Sequence, residues 1–172
     1  MAATNGSMKR SSMGDSSAIN YPAIGVALGG ILGFAGVYLN WWRIEYPVAG
    51  GTITQYLNGK DDWTGQVAFI AGIAAFAFAV AFILISDPQI RKITGALMGI
   101  ASIFLLAAAV LGFFRTDAAI QSPVLLGVAA GRVAITTGLA GGIYVSFIGG
   151  VFAVVGTILA IWRPADAVAV EG

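Results

Sequence analysis

Thr64–Ile85 reads TGQVAFIAGIAAFAFAVAFILI, an apolar run without one ionisable side chain, and this stretch decides the class of fold. A bilayer core of about 30 Å takes roughly 20 helical residues to cross. A helix of that length that is apolar all round has no aqueous face to present. Three further stretches, Pro22–Trp42, Ile93–Phe114 and Gly138–Trp162, match it in length and in the near absence of charge. Charged residues make up 10% of the chain and hydrophobic ones 58%, with a mean hydropathy of +0.88, whereas soluble domains carry about 25% charged residues. The sequence therefore predicts an all-α membrane protein: an antiparallel four-transmembrane-helix bundle over residues 21–163. A flexible cytoplasmic leader occupies 1–20, a short cytoplasmic tail 164–172, and no length is left for a second domain. The leader, rich in Ser, Asn and Gly, is too polar to bury a core of its own. The first span reads as a signal anchor, because its apolar run is longer than a cleavable signal needs.

Cations set the orientation. Lys9 and Arg10, then Arg91 and Lys92, then Arg163 fall on one side, against Arg43, Lys60, Arg115 and Arg132 on the other. The tight turn Ser86–Lys92 concentrates two cations beside the membrane, as cytoplasmic loops do. Both termini are thus expected in the cytoplasm of a multi-pass protein of a bacterial plasma membrane. Ser86-Asp87-Pro88 reads as a helix start, an acid cap followed by proline at the first helical position, which makes spans two and three a hairpin.

The outer connections are longer. In Arg43–Trp63, β-branched and aromatic residues flank the turn-like Val48-Ala49-Gly50-Gly51, the pattern of a short β-hairpin. In Arg115–Thr137, Val124–Ala130 reads as an interfacial helix and Arg132–Thr137 as one more strand. The two loops would jointly form a small extracytoplasmic β-sheet. Trp41-Trp42-Arg43 and Phe113-Phe114-Arg115, followed by Glu45 or Asp117 and then Pro47 or Pro123, hint at two similar halves. An aromatic belt with a snorkelling cation at each outer helix end explains the same residues.

Several chemistries are excluded. The chain has no Cys and no His, so disulfides, thiol catalysis, imidazole ligation of haem and ordinary zinc sites are out. No phosphate-binding glycine loop, His-Glu-x-x-His or nucleophile elbow occurs. A net charge of +1 does not suit nucleic acid. Glu45, Asp61, Asp62 and Asp117 lie on loop tips, where a general acid–base pair lacks a shielded pocket. No catalytic, cofactor or metal residue is expected, and membrane lipids are the only small-molecule partners implied.

Small residues remain. Gly25, Gly29 and Gly33 recur every four positions in span one, Gly95 and Gly99 in span three, and Gly138, Gly142, Ser146 and Gly150 in the last. Ala71, Ala75 and Ala79 add a gentler ridge on span two. Such faces let helix backbones approach closely in lipid, where hydrophobic burial supplies no drive. They serve either packing within the chain or contact with another protein. Trp41, Trp42, Arg43, Tyr46, Trp63 and Arg132 mark the outer rim, as headgroup anchors or as contacts for a docked partner. Arg132, in a largely apolar segment, needs headgroups, an outer acid or a partner's acid.

This arrangement resembles the claudin-like four-span proteins, whose two outer loops build an extracellular sheet on an antiparallel bundle. The loop disulfide and fuller tryptophan signature of that family have no counterpart here, and its junction-forming role is not implied. The Ala, Gly and Val bias, with a tail such as Arg163-Pro164-Ala165-Asp166, is similar to small actinobacterial membrane proteins of the kind found as auxiliary subunits of the MCE-type lipid importers of mycobacteria. That resemblance implies a non-catalytic accessory subunit of a larger membrane complex (permease or respiratory subunits), first of all an ATP-driven lipid or small-molecule transport complex. A supernumerary respiratory subunit and a small oligomeric four-span transporter are the alternatives. The last of these normally keeps a carboxylate in the membrane, and none of the four stretches holds one.

Overall fold

The structure, a computed structural model, describes residues 20–115 and 136–162. The leader up to residue 19, Asp117, the expected Val124–Ala130 helix, Arg132 and the tail all lie outside the described residues. Helix α1 spans Tyr21–Val37, α2 Trp63–Leu84, α3 Pro88–Phe114 and α4 Gly141–Trp162. Strands β1 (Asn40–Val48) and β2 (Gly51–Asn58) follow α1, and β3 (Thr136–Leu139) precedes α4. The three strands form an antiparallel sheet in the order β2-β1-β3. Helices α2, α3 and α4 are long and apolar enough to cross a membrane, with mean hydropathies of 2.7, 2.5 and 2.2 over their most apolar windows.

Local chemistry starts each helix. The Asn20 side chain accepts from Ala23 N at 3.2 Å, with Pro22 in the first turn of α1. Asp62 caps α2 by accepting from the Thr64 amide and hydroxyl. Asp87 Oδ1 accepts from Gln89 N and Ile90 N at 2.8 and 3.0 Å, and Pro88 opens α3. These side chains satisfy donors that a helix start leaves without partners.

Neighbouring helices run antiparallel. Along the α1–α4 seam, Gly156 lies against Pro22 and Val26, Gly149 against Gly29 and Gly33, and Gly142 against Gly36 and Leu39. Helix α1 also packs on α2, α2 on α3, and α3 on α4, whereas the diagonal pairs barely touch. The sheet sits at one end, where α1 stops, α2 starts, α3 stops and α4 starts.

Two boundaries differ from the sequence expectation. The first apolar stretch was expected to stay helical to Trp42, but α1 stops at Val37, after 17 residues. Its last turn tightens as Tyr38 N and Leu39 N donate to Ala35 O and Gly36 O, and Asn40-Trp41-Trp42 is drawn into the ladder with β2. At the other edge, Gly138 is not in the last helix but in β3, opposite Arg43, and α4 begins three residues later, at Gly141. The extra strand accordingly lies at Thr136–Leu139 rather than ending at Thr137.

The hairpin between β1 and β2 turns at Ala49-Gly50. Gly50 adopts φ +101°, which only glycine accepts without strain.

Candidate functional site

The glycine faces meet each other inside the molecule. A Cβ on Gly29 would lie 2.6 Å from both Ala153 N and Gly149 O, and one on Gly149 would lie 2.6 Å from Gly29 O and Gly33 N. Helices α1 and α2 cross in the same way at Gly30 and Gly72, where either Cβ would fall within 3 Å of the other helix's backbone. Ser146 Oγ donates to Gly33 O at 3.1 Å, and Ser102 Oγ and Thr157 Oγ1 join α3 to α4 at 3.2 Å. Gly95 stacks under Phe82, Gly99 meets Thr157 and Gly150 meets Leu106. Gly25 stands apart, since a Cβ there would meet nothing within 4 Å. Gly29, Gly30, Gly72, Gly149 and Gly150 therefore sit where backbones cross, while Gly95 and Gly99 face side chains of neighbouring helices, and the crossing atoms are not on offer to a second protein.

Trp41 and Trp42, expected at the outer rim, are buried, at 0% and 1% exposure. A register irregularity between Asn40 and Trp42 interrupts the alternation of β1, so two consecutive indoles turn inward where a regular strand would expose one. Trp41 touches the ends of all four helices. Its Nε1 donates to Gly36 O at the end of α1 (3.0 Å), and its carbonyl accepts from Ala140 N just before α4. Its ring lies against Gly59, ahead of α2, and Gly112, in the last turn of α3. Trp42 packs edge-on against it, with ring centroids 5.5 Å apart. The sequence signal for this role was the pair of glycines, Gly59 and Gly112, whose missing side chains leave room for an indole.

The other rim residues stay outside. Trp63, Tyr38 and Tyr56 are exposed, and Tyr46 is half-buried. Arg43 pairs with Glu45 at 3.1 Å on the surface of β1. Arg115 closes the α2–α3 corner, 3.5 Å from Asp62 and with its guanidinium 5.3 Å from the Trp63 ring centroid. Among the described residues no group of three metal-binding side chains forms.

Among the described residues strand β2 is an open edge of the sheet. In a hairpin closed by the Val48–Gly51 pair, hydrogen-bonded pairs alternate, so Thr52, Thr54 and Tyr56 turn their amides and carbonyls away from β1. Gly51–Asn58 contains no charge and no proline, although edge strands are usually guarded by one or the other. On the opposite side β1 does carry a guard: Pro47 lies beyond Glu45–Thr136, the last β1–β3 pair among the described residues.

Two grooves run down the helices. Above the Gly30–Gly72 crossing, α1 and α2 part into a wedge of about 400 Å³ between Val37, Tyr38, Phe69 and Ile70, with Lys60 and Gln66 at its mouth. Tyr38 and Phe69 stack edge-to-face at 5.6 Å along its wall. The second groove, about 300 Å³ between α2 and α3, has a floor of Ala71, Ala74 and Ala101 and walls that include Ile70, Phe78 and Phe104. No polar atom lines it.

No protein-family model matches this chain, and no curated protein matches it in sequence.

Proposed function

We propose that this chain is a non-catalytic integral membrane accessory subunit, a four-transmembrane-helix bundle that binds and stabilises a larger envelope complex through its sheet. A transport complex driven by ATP, moving lipids or small molecules, is the assembly that fits the sequence resemblance. Helices α2, α3 and α4 have spanning length. The 17 residues of α1 reach about 25 Å, the short end of the spanning range. Ile70, Ile103, Phe104, Phe152 and Leu159 are all more than half exposed on the helix perimeter, an arrangement that suits lipid and not water. The charge bias of the loops supports a sheet outside and both termini in the cytoplasm.

The observation that carries the partner-binding reading is the unguarded edge of β2. With the glycine seams occupied within the chain, this edge offers outward backbone donors and acceptors, no repelling charge, and the exposed side chains of Ile53 and Tyr56. An extended segment from an extracytoplasmic domain of the partner would add to it as a fourth strand.

The test is mild-detergent extraction of the chain at native expression level, with Thr54→Pro and Thr54→Lys as variants. The parent chain should come out with a larger complex in near-stoichiometric amount. Proline at 54 removes an outward donor and lysine adds a guard, so each should release the complex while leaving the thermal midpoint of the isolated chain unchanged. Recovery of the parent only as a monomer or homo-oligomer, or an intact complex with both variants, would refute this reading and favour the oligomeric transporter.

A further inference from the structure

Beside Lys60, the chain has the shape and polarity to hold a specific lipid. We propose that the wedge between α1 and α2 and the groove between α2 and α3 together bind one diacyl phospholipid of the sheet-side leaflet, its phosphate on Lys60 and its two tails astride Ile70. The proposal rests on the membrane-spanning reading above but not on the accessory-subunit role.

The two cavities share Ile70, which lines both at 67% exposure. At the mouth of the wedge Lys60 is exposed, and the Gln66 amide, which donates to Lys60 O at 3.4 Å, lies beside it. The Tyr38 side chain, 58% exposed, brings a hydroxyl to the same rim. Asp62, two residues on, is engaged by Arg115 and by the Thr64 amide, which leaves exposed Asp61 as the neighbouring acid. Below this polar mouth the surface is carbon: Val37, Phe69 and Ile70 in the wedge and alanines flanked by phenylalanines in the groove.

A cation with amide and hydroxyl donors above two apolar channels is complementary to an anionic headgroup carrying two tails. A free phosphate would use Lys60 and leave both channels without an occupant. A partner's transmembrane helix would fill the α2–α3 groove alone, held off the wedge by the Ile70 ridge.

The experiment uses the full-length chain, extracted from membranes, delipidated in mild detergent and titrated with dioleoylphosphatidylglycerol by native mass spectrometry. One lipid should bind ahead of the rest. Lys60→Gln should weaken that first step about tenfold, the scale of one lost charge-assisted contact. Ala74→Phe, which fills the groove from its half-buried floor position, should weaken it comparably, with the melting midpoint of both variants near that of the parent. Glycerol phosphate, which has the headgroup chemistry and no tails, should not compete. First-lipid binding indifferent to both substitutions overturns the site while leaving the membrane assignment intact. So does a co-purifying polypeptide that Ala74→Phe displaces in place of lipid. A chain that fails to fractionate with membranes overturns the membrane assignment and the site together.

Discussion

Gly29 and Gly149 offer the sharpest test of how the helices are held. A Cβ on Gly29 would sit 2.6 Å from Ala153 N and Gly149 O, against an optimal separation of about 3.5 Å. Alanine there must push α1 and α4 apart by roughly 0.9 Å, and a gap of about 0.5–1 Å already forfeits a quarter to a half of each dispersion contact along the seam. Overpacking of this kind costs about 1–3 kcal/mol, while replacing glycine by alanine inside a helix returns about 0.8–1.0 kcal/mol. The net expectation for Gly29→Ala is a loss of up to about 2 kcal/mol. Gly25→Ala gains the same propensity and meets nothing within 4 Å, so it should be neutral or more stable by up to about 1 kcal/mol. Gly149→Ala attacks the Gly29 contact from the other side. Once the helices have separated for one methyl group they accommodate the second, and the double variant should lose less than the sum of the singles by at least about 0.5 kcal/mol. Reversible unfolding of the purified chain in mixed micelles, followed by helical circular dichroism, gives all four values. A Gly25→Ala variant as unstable as Gly29→Ala, or an additive double variant, would refute the seam as the source of stability.

Trp41→Phe removes the bond from Nε1 to Gly36 O but leaves that carbonyl its Leu39 donor, so a cost of about 1 kcal/mol is expected. Trp41→Ala opens a cavity where four helix ends meet, and a loss of about 3–5 kcal/mol with collapse of the near-ultraviolet signal should follow. At the α2–α3 corner, Asp62→Asn keeps a good helix cap and Arg115→Gln keeps a long polar side chain. A double-mutant cycle between them isolates the ion pair, expected at about 0.5–1 kcal/mol and smaller at high salt; a coupling of zero at low salt would show that the clasp contributes nothing.

The helices were legible because missing charge is a signal that any single apolar stretch carries by itself. The Asp87-Pro88 start and the hairpin turn at Gly50 were legible for the same reason, being local chemistry within a few residues. Where two segments must meet, the sequence was silent. Gly25, Gly29 and Gly33 have equal spacing, yet a Cβ on Gly25 would meet nothing while Gly29 and Gly33 lie at the contact, because the seam with α4 runs through Pro22, Val26, Gly29, Gly33 and Gly36 and passes to one side of Gly25. Trp41 and Trp42 carried the mark of a headgroup belt, aromatic residues at the end of an apolar run. The irregularity at Asn40 that turns both of them inward depends on strand pairing with residues a hairpin away. Gly138 failed similarly, since its pairing with Arg43 across the sheet outweighed its place at the edge of an apolar run.

On the proposed reading, internal packing and partner binding would draw on different atoms in this chain, and that separation makes the two experimentally distinct. Gly29, Gly33, Gly142 and Gly149 are buried between α1 and α4, so a partner could reach them only after the seam had opened. Substitution there should lower the stability of the isolated chain first, with any loss of assembly following in proportion to the unfolded fraction. Thr54 is the converse case, exposed on an edge strand of the sheet. A lysine at that position should abolish assembly while the chain melts as before. Loss of the complex from the glycine variants at temperatures where they remain fully folded would place the partner on the helices instead, and would remove the β2 edge from its role.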